Sequence, residues 1–264
     1  TITDEYRWLE QPTRDVERWT SAQEVYAHRF LDALPQRTGL AQRFEQLWRY
    51  DDATVPMPVL DGTREFFSRK RAADEKWIYM TQAAPDASPE ELLNPNTWDR
   101  HESLDSAVPS PDGRYLAYGV GRGGDEDPRI RVMRTADRTV LPDTLQGWRQ
   151  RGVAWLRDGS GFFYAAQPLP GTVPAGEEHY WVTAWFHTLG TPAEHDVKVF
   201  WHDDTKEYWH GVSVSEDGRW LLLYRGLFNR TDIYIKPVGS IAAPQPVVTN
   251  VDARFAAVIV DDRL

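Results

Sequence analysis

The stretch Ser110-Pro111-Asp112-Gly113-Arg114-Tyr115-Leu116-Ala117-Tyr118 is an aspartate-glycine turn that leads directly into a strand of aromatic and apolar residues. Similar turns recur at Asp61-Gly62, Asp158-Gly159 and Asp217-Gly218, at intervals of about 50 residues. Asp-Gly supplies the positive φ angles of a tight hairpin, and aromatic and β-branched side chains favour a half-buried strand. This period and content are typical of the four-stranded blades of a β-propeller.

Outward from these turns, alternating apolar residues predict strands over most of the chain after Tyr50. The predicted strands are Glu65–Ser68, Trp77–Thr81, Tyr115–Val120, Ile130–Arg134, Val153–Leu156, Phe162–Ala166, Trp181–Thr188, Val197–His202, Gly211–Val214, Trp220–Tyr224, Asp232–Lys236 and Phe255–Val260. We interpret this mainly β chain as a partial propeller of about three and a half to four blades. Because a propeller closes by pairing its last blade with its first, we expect a chain cut inside a blade.

The first fifty residues have a helical period instead. Thr13 can cap a helix whose first turn carries Asp15 and Glu17, and Pro35 ends it. Apolar residues then recur at steps of three and four, first at Val16, Trp19, Tyr26 and Phe30, and in a second helix at Leu40, Phe44, Leu47 and Trp48. The sequence therefore predicts an N-terminal helical segment over residues 1–52 and a partial propeller domain over residues 53–264.

The net charge of −10 and the absence of cysteine limit the possible functions. A nucleic acid or an anionic membrane would need a basic face, so we expect neither as a partner. Without cysteine there is no disulfide framework and no thiolate zinc site, and we expect no cofactor. The lack of cysteine also fits a reducing compartment, so we expect the cytoplasm, with the periplasm left open.

Two short motifs resemble catalytic or cofactor motifs by spacing alone. Gly119-Val120-Gly121-Arg122-Gly123-Gly124 matches a dinucleotide pattern, but acidic residues and Pro128 follow it where a helix N-terminus is needed. Gly211-Val212-Ser213-Val214-Ser215 lacks the second glycine of a nucleophile elbow and alternates as a strand does. We interpret the first as a hairpin loop and the second as a strand.

Five of the seven histidines follow one another at steps of seven or eight residues. They are His179, His187, His195, His202 and His210. Equal spacing over successive strands could bring two or three of them together, but a metal site needs three or four converging ligands. We favour scattered surface or inter-strand histidines over a metal site.

Several segments, in order along almost the whole chain, resemble the prolyl oligopeptidase family of serine peptidases. The opening Asp4-Glu5-Tyr6-Arg7-Trp8-Leu9-Glu10 is similar to the D-P-Y-x-W-L-E start of that family, with Glu5 in place of proline. The other similar segments are Leu93-Asn94-Pro95-Asn96, Ser110–Tyr118, Leu141-Pro142-Asp143, His187-Thr188-Leu189-Gly190-Thr191 and Val251–Phe255. The ordered run of these segments carries the resemblance.

The resemblance implies a seven-bladed propeller that caps a C-terminal α/β-hydrolase domain and admits short peptides, which are cleaved after proline. The serine, aspartate and histidine of the triad would then lie in that hydrolase domain, beyond Leu264. This chain would be the N-terminal segment and first half of the cap, inactive alone, with the absent domain and short proline-containing peptides as partners. The alternative is a stand-alone propeller-like binding module without peptidase activity.

The resemblance also implies three candidate substrate-binding residues. Gln150 lies within Arg149-Gln150-Arg151, where the family usually has a K-F-S run whose Phe reaches the substrate pocket, so the apolar contact of that Phe is not carried over. Arg225 is nearest to an arginine that the family places after the strand of this blade, the alternative being an ordinary solvated loop arginine. Trp209 is the third candidate. No catalytic residue and no metal ligand is expected in this chain.

Overall fold

A computed structural model describes residues 4–124, 127–146, 153–169, 171–202, 204–260 and 263. The chain divides into two compact units. The first comprises residues 1–52 and 71–73, and the second comprises residues 53–70 and 74–264. No helix in the described part of the chain is long and apolar enough to cross a membrane.

The first unit contains two α-helices, α1 (Arg14–Asp32) and α2 (Arg37–Trp48), after a short 3-10 helix at Arg7–Glu10. Thr13 is the N-cap of α1, as predicted, and its hydroxyl accepts a hydrogen bond from Val16 N at 3.4 Å. No residue of these three helices is buried. The predicted apolar stripe is therefore present on the helices and exposed.

The second unit contains four antiparallel sheets, each built from strands that follow one another in the chain, as in propeller blades. Blade 1 comprises β1 (Asp52–Ala53), β2 (Met57–Pro58), β3 (Glu65–Lys70), β4 (Ile78–Gln82) and β5 (Glu90–Leu93). Blade 2 comprises β6 (Glu102–Pro109), β7 (Tyr115–Arg122), β8 (Arg129–Arg134) and β9 (Val140–Gln146). The chain is thus mainly β, as the sequence predicts.

Blades 3 and 4 repeat the same four-stranded order. Blade 3 comprises β10 (Ala154–Trp155), β11 (Gly161–Ala166), β12 (Thr183–Thr188) and β13 (Val197–Phe200). Blade 4 comprises β14 (Trp209–Val214), β15 (Trp220–Gly226), β16 (Thr231–Pro237) and β17 (Gln245–Val248). Both interpretations of the short motifs are confirmed, because Gly211–Val214 belongs to β14 and the Gly119 motif runs from β7 into a turn.

Apolar side chains fill the seam between each pair of successive blades. The seam between blades 1 and 2 buries Val59, Phe66, Leu93, Leu116, Tyr118 and Met133. The next seam buries Ile130, Val132, Leu145, Trp155 and Phe162, and the third buries Phe163, Ala184, Phe200, Leu221 and Leu223. The stability of this unit therefore resides in contacts between neighbouring blades, as expected of a repeat architecture.

Three of the four Asp-Gly turns have the predicted backbone. Gly113, Gly159 and Gly218 have φ of 71°, 69° and 74°, whereas Gly62 does not have a positive φ. Side chains at these turns also join the blades, because Arg157 on blade 3 donates hydrogen bonds to Asp61 on blade 1 and to the carbonyl of Glu216 on blade 4. The repeated turn thus also lies where blades meet.

The predicted last strand, Phe255–Val260, is wrong. The described backbone of this segment makes only an isolated bridge, from Val260 to Arg263. Its side chains nevertheless lie against blade 4, since Ile259 is buried with Leu222 and Ile233. The alternating pattern therefore reflects the packing of alternate side chains against blade 4. It does not correspond to a hydrogen-bonded strand here.

Candidate functional site

A groove of about 590 Å³ lies between blades 3 and 4. Its walls combine aromatic rings with hydroxyl groups and one arginine; they include Phe163, Tyr164, Trp209, Ser213, Tyr224, Thr231, Arg254 and Phe255. The segment after blade 4 forms one wall, held by the hydrogen bond that the hydroxyl of Tyr224 donates to Ala257 O at 3.0 Å. An apolar groove with a few polar groups has the chemistry of a small-ligand or peptide site.

Trp209, predicted to bind substrate, lines this groove at the first position of β14. Its indole packs beside Ala165 and Val182 and lies against Gly226, where a Cβ atom would overlap the ring. Because Gly226 has no side chain, the indole can lie directly on the backbone of β15. The ring is therefore fixed in place with part of its surface open.

Arg225 lies within β15 and its side chain is only 12% exposed, so the alternative of a solvated loop arginine is wrong. Its Nε and Nη2 both donate to Asp232 Oδ2, with the Nε bond at 2.9 Å. Its guanidinium also lies 4.8 Å from the ring centroid of Tyr208 and 5.7 Å from that of Tyr234. The structure therefore presents Arg225 as a clamped group.

Asp232 is the anchor of this cluster and is almost fully buried. Its Oδ1 accepts a hydrogen bond from Asn250 N at 3.0 Å and lies 3.7 Å from Arg230 Nε. Burial opposes the charge on Asp232, but the hydrogen bonds from Arg225 and Asn250 outweigh it and hold the pKa of Asp232 below its usual value. The arginine and the aspartate are therefore an ionised pair.

Two of the three predicted site residues, Trp209 and Arg225, do not share one surface. In the ladder between β14 and β15, Trp209 pairs with Gly226 and Arg225 pairs with His210. Because successive residues of a strand point to opposite faces, Trp209 and Arg225 lie on opposite faces of blade 4. Gln150 lies outside the described residues.

Two of the evenly spaced histidines, His202 and His210, do come together beside Arg225, as the sequence analysis allowed without identifying the pair. His202 Nδ1 and His210 Nε2 lie 2.9 Å apart with their rings stacked, while His210 Nδ1 donates to Val182 O at 2.5 Å. Burial is the main cause that lowers the pKa of His210 to about 4, so its ring is neutral at pH 7. Their spacing of eight residues is compatible with this pairing. The spacing alone does not specify it.

Of the five evenly spaced histidines, His187 and His210 are buried within strands, at the inter-strand positions that the sequence analysis allowed. Among the described residues there is no group of three or more histidine, cysteine or acidic side chains that could hold a metal ion. Both ring nitrogens of His187 face carboxylates, and those of His210 face a carbonyl and another imidazole. Neither ring is therefore available as a base for a serine hydroxyl.

Comparison with known proteins gives one consistent family. The model of the prolyl oligopeptidase N-terminal β-propeller domain matches residues 1–264. Prolyl endopeptidase of Elizabethkingia meningoseptica is 26% identical over 261 residues, which cover 96% of this chain and 36% of that protein. Prolyl oligopeptidase A of Galerina marginata is 26% identical over 250 residues, covering 84% of this chain and 34% of that protein. The chain thus spans about a third of the length of these relatives.

Solved structures agree in fold. A chain from a structural and mechanistic analysis of two prolyl endopeptidases superimposes with a TM-score of 0.87 at 26% identity, covering 95% of this chain and 37% of that chain. Prolyl oligopeptidase B of Galerina marginata, bound to a 35-residue hydrolysis and macrocyclization substrate, gives a TM-score of 0.81 at 23% identity, over 94% and 38% of the two chains. The second likeness concerns the fold alone.

Proposed function

Since the chain belongs to the prolyl oligopeptidase family, as a match to its N-terminal β-propeller domain, we propose that it is the non-catalytic part of a serine-type endopeptidase that hydrolyses short peptides after proline. In this proposal the blades are part of a cap that admits short peptides and excludes folded proteins. A separate α/β-hydrolase domain supplies the serine nucleophile, the histidine base and the orienting aspartate.

The groove beside Trp209 is the observation that carries the peptide-binding part of this proposal. Proline-containing segments are extended and preorganised, and they dock on aromatic-lined grooves. Trp209, Phe255 and Tyr224 supply such rings, while Ser213 and Thr231 can hydrogen-bond the peptide backbone. The net charge of −10 further favours cationic peptides by electrostatic steering.

Arg225 is proposed as a separate peptide contact, on the face of blade 4 opposite to Trp209. Because Nε and Nη2 already bind Asp232, the contact would use Nη1, which does not hydrogen-bond Asp232 in the described structure. The clamp reduces the conformational entropy that the side chain would lose on binding a peptide. Gln150 stays a proposal that rests only on its position in the family's K-F-S run.

The peptidase assignment is tested with a chromogenic Gly-Pro peptide. We expect no hydrolysis by the 264-residue chain, and hydrolysis by a longer gene product that also encodes a G-x-S-x-G segment followed by aspartate and histidine. A well-folded product of that kind without turnover would contradict the proposal. If the reading frame after Leu264 encodes no such segment, the rival proposal of a stand-alone binding module gains.

The groove is tested by fluorescence anisotropy with a labelled proline-containing peptide and the same peptide with alanine for proline. We expect Trp209→Ala to weaken binding by about tenfold, since central aromatic residues dominate peptide interfaces. Trp201→Ala is the matched control, because Trp201 is 42% exposed and does not line the groove. Equal losses for both variants would exclude the groove as the binding surface.

A further inference from the structure

His187 lies between two carboxylates in the seam of blades 2 and 3. Its Nε2 is 2.9 Å from Asp143 Oδ1 on β9, and its Nδ1 is 2.7 Å from Asp196 Oδ1, just after the 3-10 helix Ala193–His195. The side chains of His187 and Asp143 are 0% exposed, and that of Asp196 is 1% exposed. A line of hydrogen bonds thus connects the outermost strand of blade 2 to blade 3 through a single imidazole.

The proton inventory of this line follows from donor and acceptor chemistry. An ionised carboxylate only accepts hydrogen bonds, and a neutral imidazole has only one N–H. Asp143 Oδ1 also accepts a hydrogen bond from Gly190 N, and Asp196 Oδ2 accepts one from the hydroxyl of Tyr164 at 2.7 Å. Both ring nitrogens of His187 can donate to these oxygens only if the ring is an imidazolium.

The titratable side chains nearest to the imidazole are acidic groups, which favour a positive charge on the ring. The titratable groups that face it are Asp143 from β9 and Asp196 from blade 3, with Tyr164 of β11 behind Asp196. The ring of Phe162 covers one side at a centroid distance of 5.2 Å. Burial is the largest single influence and lowers the pKa of His187, but the hydrogen bonds to both carboxylates outweigh it, and the pKa is raised.

We propose that Asp143, His187 and Asp196 form a proton-dependent latch between blades 2 and 3, which is closed while the imidazole carries two protons and open once it carries one. After deprotonation, the lone pair of one ring nitrogen faces a buried carboxylate. A buried charge that loses its partner is strongly destabilising. We expect the carboxylate to be stabilised again by water that enters the seam. The latch is separate from the groove and does not depend on the proposed peptidase function.

The direction of the pH dependence follows from the raised pKa of His187. The latch contributes its full stability below the ordinary histidine value of about 6.5 and loses it as the pH rises through the raised pKa. The seam should therefore open on the alkaline side. His210 is the matched control, because it is also buried but its pKa is lowered, to about 4, so it stays neutral across that range.

The protonation state is read from the imidazole nitrogen resonances of the 264-residue chain by NMR. We expect two ring N–H groups on His187 at pH 6, below its raised pKa, and one on His210, whose pKa is lowered to about 4. A single N–H on His187 at that pH would overturn the proposal, because the proton would then lie on a carboxyl group or be absent. This measurement needs no variant.

Opening of the seam is read from hydrogen exchange of amides in β9 and β12. Above the pH at which His187 loses its second N–H, we expect exchange to exceed the intrinsic base-catalysed rise by at least about tenfold, with no such excess in the seam of blades 1 and 2. His187→Gln should give the fast seam exchange already at pH 6, and His210→Gln should leave the pH dependence unchanged. Seam exchange that follows the intrinsic rise while His187 deprotonates would overturn the latch.

Discussion

The N-terminal helices and the blades contain similar apolar side chains but bury them very differently. Phe44 on α2 is 69% exposed, whereas Phe162 on β11 is 0% exposed. None of the residues of α1 and α2 is buried, while every seam between successive blades has a buried apolar cluster. An amphipathic pattern therefore predicts an element and its apolar face, but not what covers that face.

The physical reason lies in how each element finds a partner. A blade repeats along the chain, so the next blade covers its apolar face. A pair of helices presents stripes that mostly need another element, and most helical stability in proteins comes from such packing. We therefore expect the exposed stripe, with Tyr26 at 70% and Trp48 at 64%, to promote association, as an exposed apolar patch does.

The largest expected effect comes from truncating the same residue type in the two regions. Phe162→Ala should lower the free energy of unfolding by about 3–5 kcal/mol, because it leaves a cavity in the seam of blades 2 and 3. Phe44→Ala should change it by less than about 0.5 kcal/mol, since the ring is largely in water already. Urea unfolding followed by circular dichroism measures both, and equal losses would contradict the comparison.

Glycines give an intermediate effect of opposite sign in the two regions. A Cβ atom at Gly161 would meet the backbone oxygen of His187 and lie 2.8 Å from Phe186 Cζ, so Gly161→Ala should destabilise by about 1–3 kcal/mol. A Cβ atom at Gly39 would meet nothing within 4 Å, so Gly39→Ala should stabilise α2 by about 0.5–1 kcal/mol. Thermal unfolding of the two variants measures both effects. A stabilising Gly161→Ala would contradict the prediction and show that β11 and β12 can move apart to admit a methyl group.

Much of the fold could be predicted from local sequence signals. The Asp-Gly turns located the hairpins of blades 2, 3 and 4, and the three-and-four spacing located both helices. Two long strands were missed, β6 and β9, because Asp105 and Pro142 interrupt their alternation. In β6 the pairing register with β7 shifts between Leu104 and Ser106. Such a shift depends on the partner strand and is not visible in the sequence of β6 alone.

The polar sites were less predictable because they depend on side chains from distant turns and strands. Asp143 and His187 are 44 residues apart in sequence, and no short motif marks their contact. Arg225 was identified from the family resemblance, but its clamping by Asp232 depends on the register that pairs them across β15 and β16. Sequence patterns thus specify elements well, while such contacts depend on how those elements pair.

The smallest expected effect concerns the cap of α1. Thr13→Ala removes the hydroxyl that accepts the hydrogen bond from Val16 N, and this should destabilise the helix by about 0.5–1 kcal/mol. Thr20→Ala is the matched control, because Thr20 lies in the exposed interior of α1, where alanine is the better helix former by a few tenths of a kcal/mol. Hydrogen exchange of the α1 amides should therefore become faster in the first variant and slower in the second. Because α1 buries no residue, neither change should move the main unfolding transition of the blades; a shared shift of that transition would show that the helix and the sheets unfold as one unit.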